Sequence, residues 1–379
     1  MRVLICPDKF AGTLSAPQVA AAIAEGWRDR APGDEVVLRP LADGGPGFIE
    51  VVAAAVGGRR LPVRTVDPLG RPVSGEVLVV EDAVGPTAYV ESAQACGLHL
   101  LAAHERDPKA TTSYGLGLLI AAAVETGARR VVIGLGGSAT NDAGAGMLAA
   151  LGVATLDEAG YALPYGGAAL VAAAALDGVP RLRGVELVAA TDVDNPLTGP
   201  QGAASVYGPQ KGATQRDVLL LDAAVARFAA VLERDLPGCP PGLAGLPGAG
   251  AAGGIGGAIL ALGGRCESGI ALVSRLIGLD AALDAADVVI TGEGSFDHQS
   301  LRGKVVAGVA AAARARGRPC VVLAGRVAVA ETEAASAGVT EAHALVDYFD
   351  GDAERAMREA AAGLRALAAE VAGRWVAGR

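Results

Sequence analysis

The sequence predicts an α/β protein in which a parallel-sheet domain is split into two stretches of chain, with a second, mixed α/β domain inserted between them. Three observations carry this. Short apolar runs alternate with Ala-rich helical segments at both ends of the chain, the pattern of a parallel sheet covered on both faces. Glycine supplies 54 of the 379 residues, about twice average usage, and much of it falls where a strand would hand over to a helix. Finally, single cores rarely grow beyond ~250–300 residues, so a chain of this length points to two domains.

Taken in order, RVLIC (2–6) reads as the first strand, PDKFAGTLSAP as a loop, and APQVAAAIAEGWRDR as a helix. Ser15 suits its N-cap and Pro17 its first turn. EVVLRPLADGGPG gives a second strand running into a glycine loop at Asp43–Gly47. From about Thr65 to Leu283, strands such as GEVLVV and TAYVES mix with long Ala-rich helices and Gly/Pro segments. This is the expected insertion, and within it GAGAAGGIGGAILA reads either as low complexity or as a tight loop feeding a helix. The first grammar then returns. ADVVITGEGS (286–295) is a buried strand ending in a loop, KVVAGVAAAARARG a helix, RPCVVLAG (318–325) a strand and EAHALVDYF a further strand. Asp352 onward reads as one long terminal helix. The expected domains are 1–65 plus 284–379, and 66–283.

Composition excludes several classes. The net charge of −9 argues against nucleic acid, which needs basic patches. No segment offers ~20 good helix-forming apolar residues, so no membrane span is expected. The opening MRVLICPDKF meets Asp8 too early for a signal peptide. Five cysteines without a CxxC pair and four histidines without ligand spacing disfavour a disulfide framework or structural zinc, and a reducing cytoplasm is the expected compartment. Homo-oligomerisation stays open.

Only four of the 32 basic residues are lysines. Lys9 (PDKFAG), Lys211 (YGPQKGA) and Lys304 (SLRGK) lie in glycine-punctuated turns, and Lys109 lies in RDPKATTSYG. A compact ammonium at such a turn suits phosphate as a point charge. Chance placement is the plain alternative for each lysine taken alone.

Three motifs carry chemistry. In RRVVIGLGGSATNDAGAGM (129–147) a strand runs into glycines and then a helix. Gly136 and Gly137 let backbone N–H groups approach an anion, while Ser138, Thr140, Asn141 and Asp142 add groups that can orient a substrate. The alternative is a glycine turn with a capped helix. GLGGSA lacks the third glycine of a dinucleotide fingerprint, and no GxxxxGK[ST] loop occurs. In VAATDVDNPLTGPQGAASVYGPQKGA (188–213) a strand delivers Asp192 and Asp194 to a loop, a spacing that fits a cation or general-base site, or simple turn capping. In TGEGSFDHQSLRGK (291–304) Glu293 and Asp297 follow a strand, and Ser300 and Lys304 open a helix. In open α/β sheets ligands bind at the carboxyl ends of strands, where this loop, PDKFAG and ADGG converge.

Read in order, PDKFAGTLSA, ADGG, ATTSYG, GLGGSATNDAGAGML, DVDNPLTGP, YGPQKGA, GAGAAGG and TGEGSFDHQSLRGK resemble bacterial glycerate kinases of the type that forms 2-phosphoglycerate. The eight blocks run nearly the full length. The resemblance implies a Rossmann-like, three-layer, discontinuous parallel-sheet domain with an inserted mixed α/β domain. It also implies ATP as donor, Mg²⁺, and D-glycerate as acceptor. Two positions depart from the family pattern: Ala11 stands where a lysine is frequent, and ADGGPGF replaces ADGGEGT, so Pro46 removes a carboxylate.

Phosphoryl transfer needs positioning and charge neutralisation more than covalent chemistry. On that basis the carboxylate of glycerate is expected on the N–H groups of Gly136, Gly137 and Ser138, with Asn141, Asp142 and Lys211 completing the substrate site in a cleft between the domains. Asp192 or Asp194 would orient or deprotonate the attacking hydroxyl, with Lys9 as the catalytic cation. Lys304, Ser300 and Gly294 would hold ATP phosphates, and Asp8, Asp43, Glu293 and Asp297 are the candidates for Mg²⁺. Transfer to the 3-hydroxyl, another small hydroxy acid as acceptor, or a non-catalytic binding protein remain alternatives.

Overall fold

Val3, Leu4 and Ile5 make Arg2–Ile5 a strand that can only sit inside a sheet, because all three are buried, on alternating faces. In the computed structural model, which describes residues 1–82, 85–301 and 305–378, this strand pairs in parallel with Glu35–Leu38 on one side and Val288–Thr291 on the other. Cys320–Ala324 and Glu341–Ala344 extend the sheet, also in parallel. Val3, Ile5, Val288, Ile290, Val321 and Leu323 share one core with the helices Ala16–Arg30 and Ala360–Ala377. Leu4, Val289 and Val322 alternate with them and are equally buried. The helix Val305–Ala315 packs on the strands Val288–Thr291 and Cys320–Ala324 outside that core. Helix, sheet and helix form the three layers expected of this unit.

This first unit comprises Met1–Asp43, Glu50–Val56 and Ile270–Arg379, and the second comprises Gly44–Ile49 and Gly57–Gly269. The divisions fall at 56/57 and 269/270, not at the expected 65/66 and 283/284. Arg59–Val66 goes with the second unit because it pairs along its whole length with Pro72–Asp82. The second unit holds a six-stranded mixed sheet in the order Arg265–Glu267, Glu186–Ala190, Arg130–Gly134, Gly85–Glu91, Pro72–Asp82, Arg59–Val66. The first four strands are parallel and the last two antiparallel. Its core gathers Leu116, Ile120, Met147 and Phe228 from three helices around Val131 and Ile133.

Local expectations hold at the first helix: Ser15 is its N-cap, Gln18 Oε1 accepts the Ser15 N–H at 2.9 Å, and Pro17 sits in the first turn. Two others are corrected, and one that stood between two alternatives is decided. EAHALVDYF is strand only over Glu341–Ala344, then coils into Leu345–Tyr348. The terminal helix is two helices, Ala353–Arg358 and Ala360–Ala377, because Glu359 (φ −109°, ψ 24°) leaves helical geometry. GAGAAGGIGGAILA is a tight turn feeding a helix: Ala252, Gly253 and Gly254 all have positive φ before the regular turns begin. Among the described residues no helix is long and apolar enough to cross a membrane.

Candidate active site

From Arg2–Ile5 the first unit winds one way to Glu35–Leu38 and the other way to Val288–Thr291, Cys320–Ala324 and Glu341–Ala344. The reversal between Arg2–Ile5 and Val288–Thr291 leaves a crevice beyond their carboxyl ends, the usual ligand position in such sheets. Hydrogen bonds tie the two following loops together there: Asp8 N to Gly292 O at 2.8 Å, and Thr291 Oγ1 to Cys6 O at 2.9 Å. A cavity of about 480 Å³ opens at this point. Its lining is charged at Asp8, Lys9, Asp43, Glu293, Asp297 and Arg326 and apolar at Phe10, Leu345, Val346, Ala356, Met357 and Ala360.

Of the residues read from the sequence, Asp8, Lys9, Asp43, Glu293, Gly294 and Asp297 therefore line one cavity. Lys9 Nζ stands 3.6 Å from Asp8 Oδ1 and 3.9 Å from Asp43 Oδ1. Burial pushes the Asp8 carboxyl above its ordinary range; the Lys9 ammonium opposes this and the Asp43 carboxylate adds to it. Ser300 does not line the cavity. It is fully buried, and its Oγ accepts from Asp297 N at 3.1 Å and donates to Ser295 O at 3.2 Å, so it shapes the turn. Lys304 lies outside the described residues. Arg326 was missed, although an arginine two residues past the strand Cys320–Ala324 is a readable signal for this edge of the sheet.

Among the described residues no three acidic, histidine or cysteine side chains form a ready metal cage. Mg²⁺ is commonly held by one or two carboxylates plus substrate phosphates. The hard oxygen donors of Asp8, Asp43, Glu293 and Asp297 around this cavity fit that mode.

In the second unit the parallel strands Gly85–Glu91, Arg130–Gly134 and Glu186–Ala190 end at one edge. The loop after Arg130–Gly134 is pinned by Leu98 N to Gly137 O at 2.8 Å and Ala139 N to Cys96 O at 2.7 Å. Gly137 has φ 63°, which glycine adopts without strain. Among the described residues the N–H groups of Gly136, Gly137 and Ser138 have no acceptor. Successive free N–H groups at such a turn make an anion nest. Behind it Lys211, 2% exposed, donates from Nζ to Ser138 Oγ at 3.0 Å and to Thr140 O at 2.7 Å. Burial brings the Lys211 ammonium down to about 7, with the Asp142 carboxylate and the Cys96 thiol opposing that shift. Asn141 is fully buried, and among the described residues neither its Oδ1 nor its Nδ2 has a partner, nor does Thr140 Oγ1.

Asp142 has an internal job. Its Oδ2 accepts from Ser113 N and Ser113 Oγ, each at 2.8 Å, and from Gly146 N at 3.1 Å, while Oδ1 accepts from Gly144 N at 3.2 Å. Asp192 and Asp194 are exposed and line a separate cavity of about 250 Å³ with Glu267 and Ser268. Ser268 Oγ donates to Asp192 Oδ1 at 2.5 Å. Lys109 pairs with Asp107 and Asp217, as a bridge rather than an anion site.

The glycerate kinase family model matches residues 3–376. The chain belongs to the glycerate kinase family. Among its relatives, glycerate kinase of Bacillus subtilis strain 168 is 43% identical over 331 residues, covering 86% of this chain and 85% of its own. Glycerate 2-kinase of Escherichia coli K12 is 41% identical with the same coverage. A crystal structure from Salmonella typhimurium LT2, provisionally assigned as glycerate kinase 2, superposes with a TM-score of 0.81 at 38% identity, covering 100% of this chain and 99% of that one. As a member of the glycerate kinase family the chain is an enzyme, a phosphotransferase, and its α/β fold is the family's.

Proposed function

We propose that this glycerate kinase transfers the γ-phosphoryl group of ATP to the 2-hydroxyl of D-glycerate, in the presence of Mg²⁺. The observation that carries the acceptor side is the run of three acceptor-free N–H groups at Gly136–Ser138, which suits a carboxylate. Lys211 acts through Ser138, and Asn141 is a polar group without an internal partner beside it. The donor side rests on the mixed lining of the first unit's cavity, whose apolar side chains suit a nucleobase and whose charged ones suit a polyphosphate. Lys9 and Arg326 would neutralise phosphate oxygens; one or two of the carboxylates Asp8, Asp43, Glu293 and Asp297 would hold the magnesium ion, which supplies charge neutralisation on the phosphates when bound. Reduced, unpaired cysteines fit a cytoplasmic setting.

Asp192 is the residue proposed to orient or deprotonate the attacking hydroxyl. Its hydrogen bond from Ser268 holds one carboxylate oxygen in place. Asp192→Asn is expected to lower kcat by roughly 10²-fold, the scale of general-base loss, with little change in melting temperature because the side chain is exposed. A lowered melting temperature with normal kcat would assign the residue to the turn alone.

Purified enzyme with Mg-ATP is expected to release ADP only when D-glycerate is present. A carboxylate seated on Gly136–Ser138 puts the 2-hydroxyl one carbon away, and the E. coli relative is named a glycerate 2-kinase. Coupling the product to enolase and pyruvate kinase is therefore expected to give full signal without phosphoglycerate mutase. Signal that appears only after mutase is added would mean transfer to the 3-hydroxyl.

A further inference from the structure

Lys211 is an expensive residue to keep where it is. A buried ammonium carries a desolvation cost that a surface cation avoids, and nothing about the local fold requires a cation. The segment Pro209–Lys211 closes with Gly212 in a left-handed turn whatever the side chain before it. The ammonium reaches back to the loop that carries Gly136–Ser138 and makes two hydrogen bonds there, to Thr140 O and Ser138 Oγ. The charged or titratable groups facing it are the Asp142 carboxylate and the Cys96 thiol. Asp142 is saturated by Ser113, Gly144 and Gly146, so Lys211 does not serve as its hydrogen-bond partner.

The direction of the Ser138 bond matters. An ammonium can only donate, so Ser138 Oγ accepts and its own hydrogen must point elsewhere. A neutral amine has a lone pair, and the same hydroxyl can then turn inward and donate to it. We infer that Lys211 is a positioning residue: its ammonium holds the Ser138 hydroxyl outward as a fourth donor beside the three N–H groups, and loss of its proton to solvent lets that hydroxyl turn away from the substrate carboxylate. This rests on the placement of glycerate proposed above. Burial brings the ammonium down to about 7, so the change falls around neutral pH, where the glycerate carboxylate stays ionised.

The sign follows directly. Below about pH 7 the ammonium form predominates and all four donors face the anion; above it the ammonium fraction falls about tenfold per pH unit and the three N–H groups hold the anion alone. Calorimetric titration of the nucleotide-free enzyme with D-glycerate avoids the ionisation of ATP. Kd is expected to rise roughly tenfold from pH 6 to pH 8. Ser138→Ala, which loses only a hydroxyl and whose fold a melting curve checks, is expected to bind more weakly at pH 6 and to show an almost flat profile. A flat wild-type profile overturns the inference. So does a Ser138→Ala profile as steep as the wild type, which would mean that the cation or Asp142 acts on the anion directly. Absence of glycerate binding at both pH values by folded wild-type enzyme overturns the substrate placement itself, and this inference with it.

Discussion

Lys9→Met is expected to lower kcat/KM for ATP by roughly 10²–10³-fold, the loss seen when one preorganised charge-stabilising group is removed from an active site. Methionine keeps the length of the side chain and removes its charge. In the first unit's cavity Lys9 lines the wall with Asp8, Asp43, Glu293 and Asp297; without it, Arg326 is the cation left among the described lining residues to offset four carboxylates. A second consequence tests the same geometry. Lys9 holds the Asp8 carboxyl down against burial, so its loss lets that carboxyl rise further, and the acid limb of the activity profile should move to higher pH. Melting temperature should change little, since the two ion pairs are long, at 3.6 and 3.9 Å, and partly solvated pairs contribute about 0–1 kcal/mol. Unchanged kinetics would show that the cavity does not receive the phosphates.

Asp142→Ala is expected to have the largest effect on stability, about 3 kcal/mol or more by urea unfolding. The carboxylate accepts from Ser113 N, Ser113 Oγ, Gly144 N and Gly146 N inside the second unit, and alanine would leave these donors buried without acceptors. Asp142→Asn should lose less, because its carbonyl can keep the three bonds on the Oδ2 side and only the contact with Gly144 N becomes donor against donor. If Asp142 instead touched substrate, both variants would keep near-normal stability and lose glycerate affinity, so the two readouts separate the roles.

Asp142 also marks where reading a chain as a string stops. In GLGGSATND the residue types suggest an anion loop, and Asn141 and Asp142 look interchangeable there as polar groups beside it. In the folded unit Ser113, 29 positions away in sequence, consumes Asp142, while Asn141 is left with both amide atoms unpartnered. Ser300 in SFDHQS is similar: a plausible phosphate contact by type, it is spent on Asp297 and Ser295. Hydroxyls and carboxylates satisfy whichever donor the fold brings near, and that partner is not written locally.

Features set by neighbouring residues were legible. The first helix begins at Ser15 with Pro17 in its first turn because capping and fixed φ act within four residues. The strands Arg2–Ile5, Val288–Thr291 and Cys320–Ala324 were legible because a continuous apolar run can be buried only where both faces of a sheet are covered. Loops at their carboxyl ends followed from that topology, so the sequence alone groups Asp8, Lys9, Asp43, Glu293 and Asp297. The break at Glu359 and the coiling of Leu345–Tyr348 were not legible, since helical propensity is a weak local preference that tertiary packing overrides. The sequence by itself therefore determined the alternating α/β pattern and which loops meet beyond the strands of the first unit. Only the tertiary structure decided the state of Lys211: a lysine is cationic by default, and its fall to about 7 comes from burial beneath Ser138 and Thr140, a solvent exclusion that residues far apart in the chain create together.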